Sequence, residues 1–253
     1  MKSIISAQQL LTLRGQNALT LIDATSGPTG RDKYKLEHLT GAIHIDLEQD
    51  LSAIYDAKVG GRHPLPSPAQ FSGVLGRLGI TEESLVVIYD RAAGTNAAAR
   101  FWWMLRSAGH QATYVLDGGF QAGKRAGFSI AKGFEVPKSV VPYYFSEWQL
   151  PLISMQQVEG LIEDPDSLII DVREAYRYLG ESEPIDLQAG HVPTAVNIPL
   201  ANNLEQNGLF KSPTALRAFY QPILCNRERQ KIAVYCGSGV TACHTLLALD
   251  YAG

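Results

Sequence analysis

The chain has 253 residues, 45% of them apolar and 19% charged, and its 22 Lys and Arg against 25 Asp and Glu leave a net charge of −3. That balance fits one large or two small globular domains and excludes a disordered or fibrous chain. It also argues against a dedicated nucleic-acid binder, and no apolar run reaches the ~18–20 residues that span a bilayer, so a soluble protein without membrane or nucleic-acid partners is expected.

In chain order, SAQQLLTLRG (6–15) reads as a helix stopped by Gly15, and LTLIDAT (19–25) as a short buried strand. GAIHIDL (41–47) reads as a second strand, SPAQFSGVLGRLG (67–79) as a helix, LVVIYD (85–90) as a strand, TNAAARFWWMLRSAG (95–109) as a helix and ATYVLDG (112–118) as a strand. Phe101, Trp102 and Trp103 are assigned to the core between helix and sheet. Strand and helix alternating in this way imply an α/β domain around a mainly parallel sheet. The proline-bearing stretch that begins at Val136 has no helical period and reads as a linker, giving domains over 1–135 and 150–253 joined by 136–149.

The second half repeats the first. LTLIDAT faces SLIIDVRE (167–174), HLTGAIHI (38–45) faces HVPTAVNI (191–198), and SLVVIYDRAAGTNAAARFWWMLRSAG (84–109) faces KIAVYCGSGVTACHTLLALDYAG (231–253). Matched landmarks keep their order at offsets of 144 to 153 residues, the signature of duplication. After Gly109 the first half runs on through QATYVLDGGFQAGKRAG, whereas the second stops at Gly253. By that comparison the second half lacks ~25 residues, a strand and a helix, and the natural chain is expected to continue.

Three cysteines, at 225, 236 and 243, make neither a disulfide framework nor a paired metal spacing, and point to a reducing compartment such as the cytoplasm. The halves differ most where a strand meets its following helix: YDRAAGTNAA with Asp90 in one, YCGSGVTACH with Cys236 in the other. A Gly-rich turn there aims backbone N–H groups and a helix N-terminus at one spot, which favours a thiolate nucleophile. The same Cys236 also reads as a small apolar residue ending a buried strand. Cys225 and Cys243 are expected to be structural or incidental.

CGSGVTA (236–242), the DxR…RY…G…EP run (171–184), GHVPTAVNIP (190–199), YD…ARFWWMLRSAGH (89–110) and LDGGFQA (116–122) together resemble the two-domain rhodanese family, and the Cys236 loop is similar to its mercaptopyruvate branch. The resemblance implies two tandem domains, each a mainly parallel five-stranded sheet flanked by helices, the second lacking its last strand and helix. It implies a sulfurtransferase that takes sulfur from 3-mercaptopyruvate onto Cys236 as a persulfide and passes it to a thiol or cyanide. Thiosulfate is the alternative donor, and a catalytically silent rhodanese-like binding module the alternative class. Carried over, Cys236 is the nucleophile and the amides of Gly237, Ser238, Gly239, Val240 and Thr241 form its cradle. Ser238, with His38 and Asp32 from the first domain, would relay a proton, and Arg177 would hold the donor anion. No metal or organic cofactor is implied, since the sulfur rides on Cys236, and a monomer is expected.

The residues admit plainer readings too. His38 also reads as a strand entry, because His191 stands at the matching place, and Arg177 as a surface charge. The family's second arginine, nine residues after Arg177, is replaced by Asp186, and Gly123 stands where the family often has Trp. A Cys-dependent phosphatase would need an Arg six residues after Cys236, where the chain has Ala242.

Overall fold

A computed structural model describes residues 2–16, 18–53 and 61–253. The chain forms two compact units, Met1–Leu150 and Pro151–Gly253. The first contains β1 (Ile4–Ile5), α1 (Ala7–Leu13), β2 (Leu19–Asp23), α2 (Gly30–Leu36), β3 (His38–Leu39), β4 (Ala42–His44), α3 (Leu47–Asp50), α4 (Pro68–Leu78), β5 (Leu85–Tyr89), α5 (Ala97–Ser107), β6 (Thr113–Leu116), α6 (Gly119–Arg125) and β7 (Ile130–Ala131). Five strands make a parallel sheet in the order β1-β6-β5-β2-β4, while β3 and β7 pair as a separate antiparallel ribbon.

Val86 to Tyr89 of β5 are wholly buried, as a strand covered on both faces by crossover helices must be. The helices start where the chain supplies caps. Ser6 with Gln9 and Ser67 with Gln70 close reciprocal capping boxes at α1 and α4, and Gly79 ends α4 in the left-handed region. On α5, Phe101, Trp102 and Trp103 are buried, as expected from sequence. Residues 136–149, read from sequence as a linker, lie against this unit: the Val140 N–H donates to Gly76 O, the Gln149 N–H donates to Ser107 O, and Phe145 and Trp148 pack on Phe71.

The second unit contains α7 (Met155–Glu163), β8 (Leu168–Asp171), α8 (Ala175–Tyr178), β9 (Val196–Asn197), α9 (Pro213–Leu224), β10 (Ile232–Tyr235) and α10 (Ala242–Ala252). Its parallel sheet has three strands, in the order β10-β8-β9, two fewer than the first. In the first unit β1 pairs with β6; among the described residues of the second unit no strand corresponds to β6, and Leu152 and Ile153, which precede the Ser154 cap as Ile4 and Ile5 precede Ser6, are exposed. No helix among the described residues is long and apolar enough to cross a membrane.

The duplication reappears bond by bond. Asp23 Oδ1 accepts the Thr25 N–H at 2.9 Å, and Asp171 Oδ1 accepts the Arg173 N–H at 2.9 Å. The hydroxyl of Tyr89 accepts the Leu39 N–H, and that of Tyr235 the Val192 N–H. Tyr34 and Tyr178 donate to the carbonyls of Ala42 and Ala195. His38 stacks on Tyr34 with Nδ1 3.0 Å from its carbonyl oxygen, and His191 stacks on Tyr178 with Nδ1 at 2.7 Å. A histidine at this place is therefore part of the scaffold in both units.

Candidate active site

The parallel register aligns Tyr235, the last residue of β10, with Asp171, the last of β8. The loops after these two strands therefore leave the same carboxyl end of the sheet, where open α/β sheets bind ligands. One carries Cys236, the other Arg173 and Arg177.

Cys236 is half-buried and leads a loop of five residues into α10, all of whose first four residues are buried. Gly239 has φ +73°, a conformation that costs little only without a Cβ. Val240 is buried, and the Cys243 thiol donates to Gly239 O at 3.3 Å, fastening the turn to the helix. This gives Cys243 the structural place expected of it. Ser238 lies in the same turn, half-buried, so Cys236 and the residues from Gly237 to Thr241 are brought together as one loop.

The matching loop of the first unit displays what such a turn does. Asp90 is buried at the end of β5, and its Oδ1 accepts the Ala92 and Gly94 N–H groups, both at 2.8 Å, while Oδ2 accepts the Ala98 N–H at 3.4 Å. Burial pushes this carboxyl above its ordinary range, and the amides oppose that push. In the first unit the turn gathers backbone donors around the carboxylate at the end of the strand. In the second unit the residue at that place is Cys236, and the turn into the helix is one residue shorter.

Beyond β8 lies an ion-pair network the sequence did not reveal. Asp171 is wholly buried and grips the Arg173 guanidinium through Nε at 3.0 Å and Nη2 at 2.6 Å, and Nη2 also reaches Gly190 O. Glu183 lies 3.4 Å from Arg173 Nη1, receives Arg177 Nε at 2.9 Å and pairs with Arg177 Nη2 at 2.8 Å. Its Oε1 also accepts the Ile185 and Asp186 N–H groups, and the Arg177 guanidinium holds the Glu183 carboxyl down to about 2. Asp186 completes the set at 3.0 Å from Arg177 Nη2. Arg177 is therefore buried and paired, not a solvated surface charge.

Of the residues expected from the first domain, His38 is wholly buried, and the Tyr34 carbonyl at Nδ1 makes that nitrogen an N–H donor. The carboxylate beside Nε2 is Glu135, at 3.6 Å. Asp32 lies exposed in the first turn of α2, so it is Glu135, missed from sequence, that neighbours the imidazole. A second missed group is buried behind the Cys236 loop: Asn203 bonds to Thr245, Tyr220 and His244, and burial lowers the His244 imidazole to about 3. Among the described residues no three His, Cys, Asp or Glu are arranged to hold a metal ion.

A duplicated parallel α/β unit with a thiol at the turn into a buried helix defines the class, and comparison with known proteins agrees. The family model of the rhodanese-like domain matches residues 6–126 and 154–253, and the chain belongs to that family. A Pseudomonas aeruginosa protein described as "probable 3-mercaptopyruvate sulfurtransferase" is 38% identical over 258 residues, covering 99% of this chain and 89% of its own length. Thiosulfate sulfurtransferase from Rattus norvegicus is 33% identical over 246 residues, covering 93% and 80%. The structure of 3-mercaptopyruvate sulfurtransferase from Leishmania major superimposes with a TM-score of 0.86 at 26% identity, over 100% of this chain and 70% of that one. The protein is a sulfurtransferase.

Proposed function

We propose that the protein takes sulfane sulfur from 3-mercaptopyruvate onto Cys236. The observation that carries this reading is the Asp90 loop, whose amides converge on the residue corresponding to Cys236. The Cys236 thiolate attacks the donor sulfur, an S–S bond forms, the C–S bond breaks, and its electron pair passes to carbon as the pyruvate enolate. A proton then gives pyruvate, leaving the Cys236 persulfide. An acceptor thiolate attacks the outer sulfur and releases the Cys236 thiolate, and cyanide reacts in the same way to give thiocyanate. The amides of Gly237, Ser238, Gly239, Val240 and Thr241 cradle the sulfur, and Arg177 holds the donor carboxylate, a task suited to a planar guanidinium.

The proton of the enolate step is assigned to Ser238 and His38. With Nδ1 engaged by the Tyr34 carbonyl, Nε2 is the His38 nitrogen left to exchange a proton, whereas Asp32 has no comparable support and Glu135 stands beside the ring instead. Thiosulfate is the second donor to weigh, because Arg177 and the amide cradle could serve either anion, and Arg177, which already faces two carboxylates, offers either one less charge.

Steady-state rates with 3-mercaptopyruvate and with thiosulfate, using cyanide as acceptor, test the reading together with the mass of the protein after donor alone. One added sulfur on wild type and none on Cys236→Ser are expected. Full turnover of either donor by Cys236→Ser would overturn the mechanism, and undiminished mercaptopyruvate turnover in both Ser238→Ala and His38→Ala would remove the relay alone.

A further inference from the structure

The loop after β8 gathers three carboxylates, Asp171, Glu183 and Asp186, around two guanidinium groups, Arg173 and Arg177. Counted as ionised groups the cluster carries an excess negative charge, at the end of the sheet from which the Cys236 loop also departs. A donor that brings a carboxylate here meets cations that already have partners.

Those partners are not equally displaceable. Arg173 is committed to Asp171, Gly190 O and Glu183. Glu183 is 4% exposed, straddles both arginines and is pinned by two backbone N–H groups. Asp186 is different. It meets Arg177 at the Nη2 corner from a side chain 28% exposed, against 4% for Glu183, so water or a competing anion reaches this pair most easily.

We propose that Asp186 is a specificity-determining residue: its carboxylate occupies the Arg177 Nη2 that a carboxylate-bearing donor needs, and the donor has to displace it. The proposal rests on Arg177 holding the donor carboxylate. Asp186 acts as a tethered competitor, raising the KM for a 2-oxo acid donor while the chemistry at Cys236 is untouched. A donor recognised through its sulfur and carbonyl, with no carboxylate, escapes the competition.

The test compares 3-mercaptopyruvate with mercaptoacetone, the same mercaptoketone bearing a methyl group in place of the carboxylate. In Asp186→Asn the KM for 3-mercaptopyruvate is expected to fall about threefold to tenfold, the range a half-exposed charged contact commands, with kcat kept within about twofold. The KM for mercaptoacetone should not move, and Asp186→Glu, which keeps a carboxylate, should keep the high KM. In an Arg177→Gln background, Asp186→Asn should have no effect on KM. An unchanged 3-mercaptopyruvate KM in Asp186→Asn and Asp186→Ser, both with wild-type circular dichroism, overturns the proposal, as does an equal fall for mercaptoacetone. If Arg177→Gln raises the 3-mercaptopyruvate KM while the Asp186 variants do not lower it, only the role of Asp186 falls. If Arg177→Gln leaves that KM unchanged, the anchoring role of Arg177 falls and Asp186 with it.

Discussion

Glu183 answers to two guanidinium groups and two backbone amides at once, and its carboxyl is held down to about 2. An unfolded glutamate titrates near ~4.3, so the stability Glu183 contributes is complete above that pH and is lost as the pH falls from ~4.3 towards 2. His244 acts over a higher window. Buried against Phe210 it titrates at about 3, so the unfolded chain, with a His pKa near ~6.5, binds a proton that the folded chain refuses. Each pH unit lost between ~6.5 and 3 then costs up to ~1.4 kcal/mol. Denaturant titrations at stepped pH should show both slopes, with His244→Phe flattening the upper window and Glu183→Gln the lower. The position of Arg177 was legible in the sequence but its company was not. Glu183 and Asp186, six and nine residues on, lie in a loop with no period from which a meeting could be read. His244 was silent for another reason: on an apolar helix a buried histidine has the same spacing as a leucine.

At the scale of elements, the two strand-to-helix turns invite paired substitutions. Asp90→Ala leaves the buried Gly94 N–H without its acceptor and frees that of the exposed Ala92 to water, a loss of about 1–3 kcal/mol to the first unit, measurable by urea denaturation followed through Trp fluorescence. Gly239→Ala forces a Cβ into a left-handed turn, costing about 1 kcal/mol and shifting the neighbouring amides. Persulfide formation on Cys236, followed by mass after a single addition of donor, should slow in Gly239→Ala while the unit stays folded. The strands β2, β4, β5 and β6 fall inside the apolar runs that announced them. β1 and the ribbon of β3 and β7 were not legible, because two-residue strands carry no period and exist only through their partners.

For the whole molecule, the duplication was legible because constant offsets survive loss of identity, and the hydrogen bonds repeat with them. The repeat also announced one strand fewer in the second unit; the second missing strand, at Leu152 and Ile153, was not legible, since a two-residue strand exists only through its partner. The first unit closes wholly buried Tyr34, Phe71, Tyr89, Phe101 and Phe120 into its interior. The second packs Ile169, Ala195 and Ala233 over a three-stranded sheet and leaves Leu152, Ile153 and Met155 exposed. Its smaller apolar burial predicts that it unfolds first. The chain supplies its own reporters: all three Trp residues lie in the first unit, and Cys243 is buried in the second. On heating, alkylation of Cys243 should precede the change in Trp fluorescence, and coincident transitions would show the two units to be one cooperative block.

Asp90 has a consequence for counting ligands. A carboxylate tied by its own backbone to the ring of amides around it is present at an effective concentration that no dissolved anion approaches, and it cannot diffuse away. The first unit is in this sense born saturated. Although the fold is doubled, titration with an anionic ligand should reach its end point at one equivalent per chain, because one of the two turns never has a vacancy to offer.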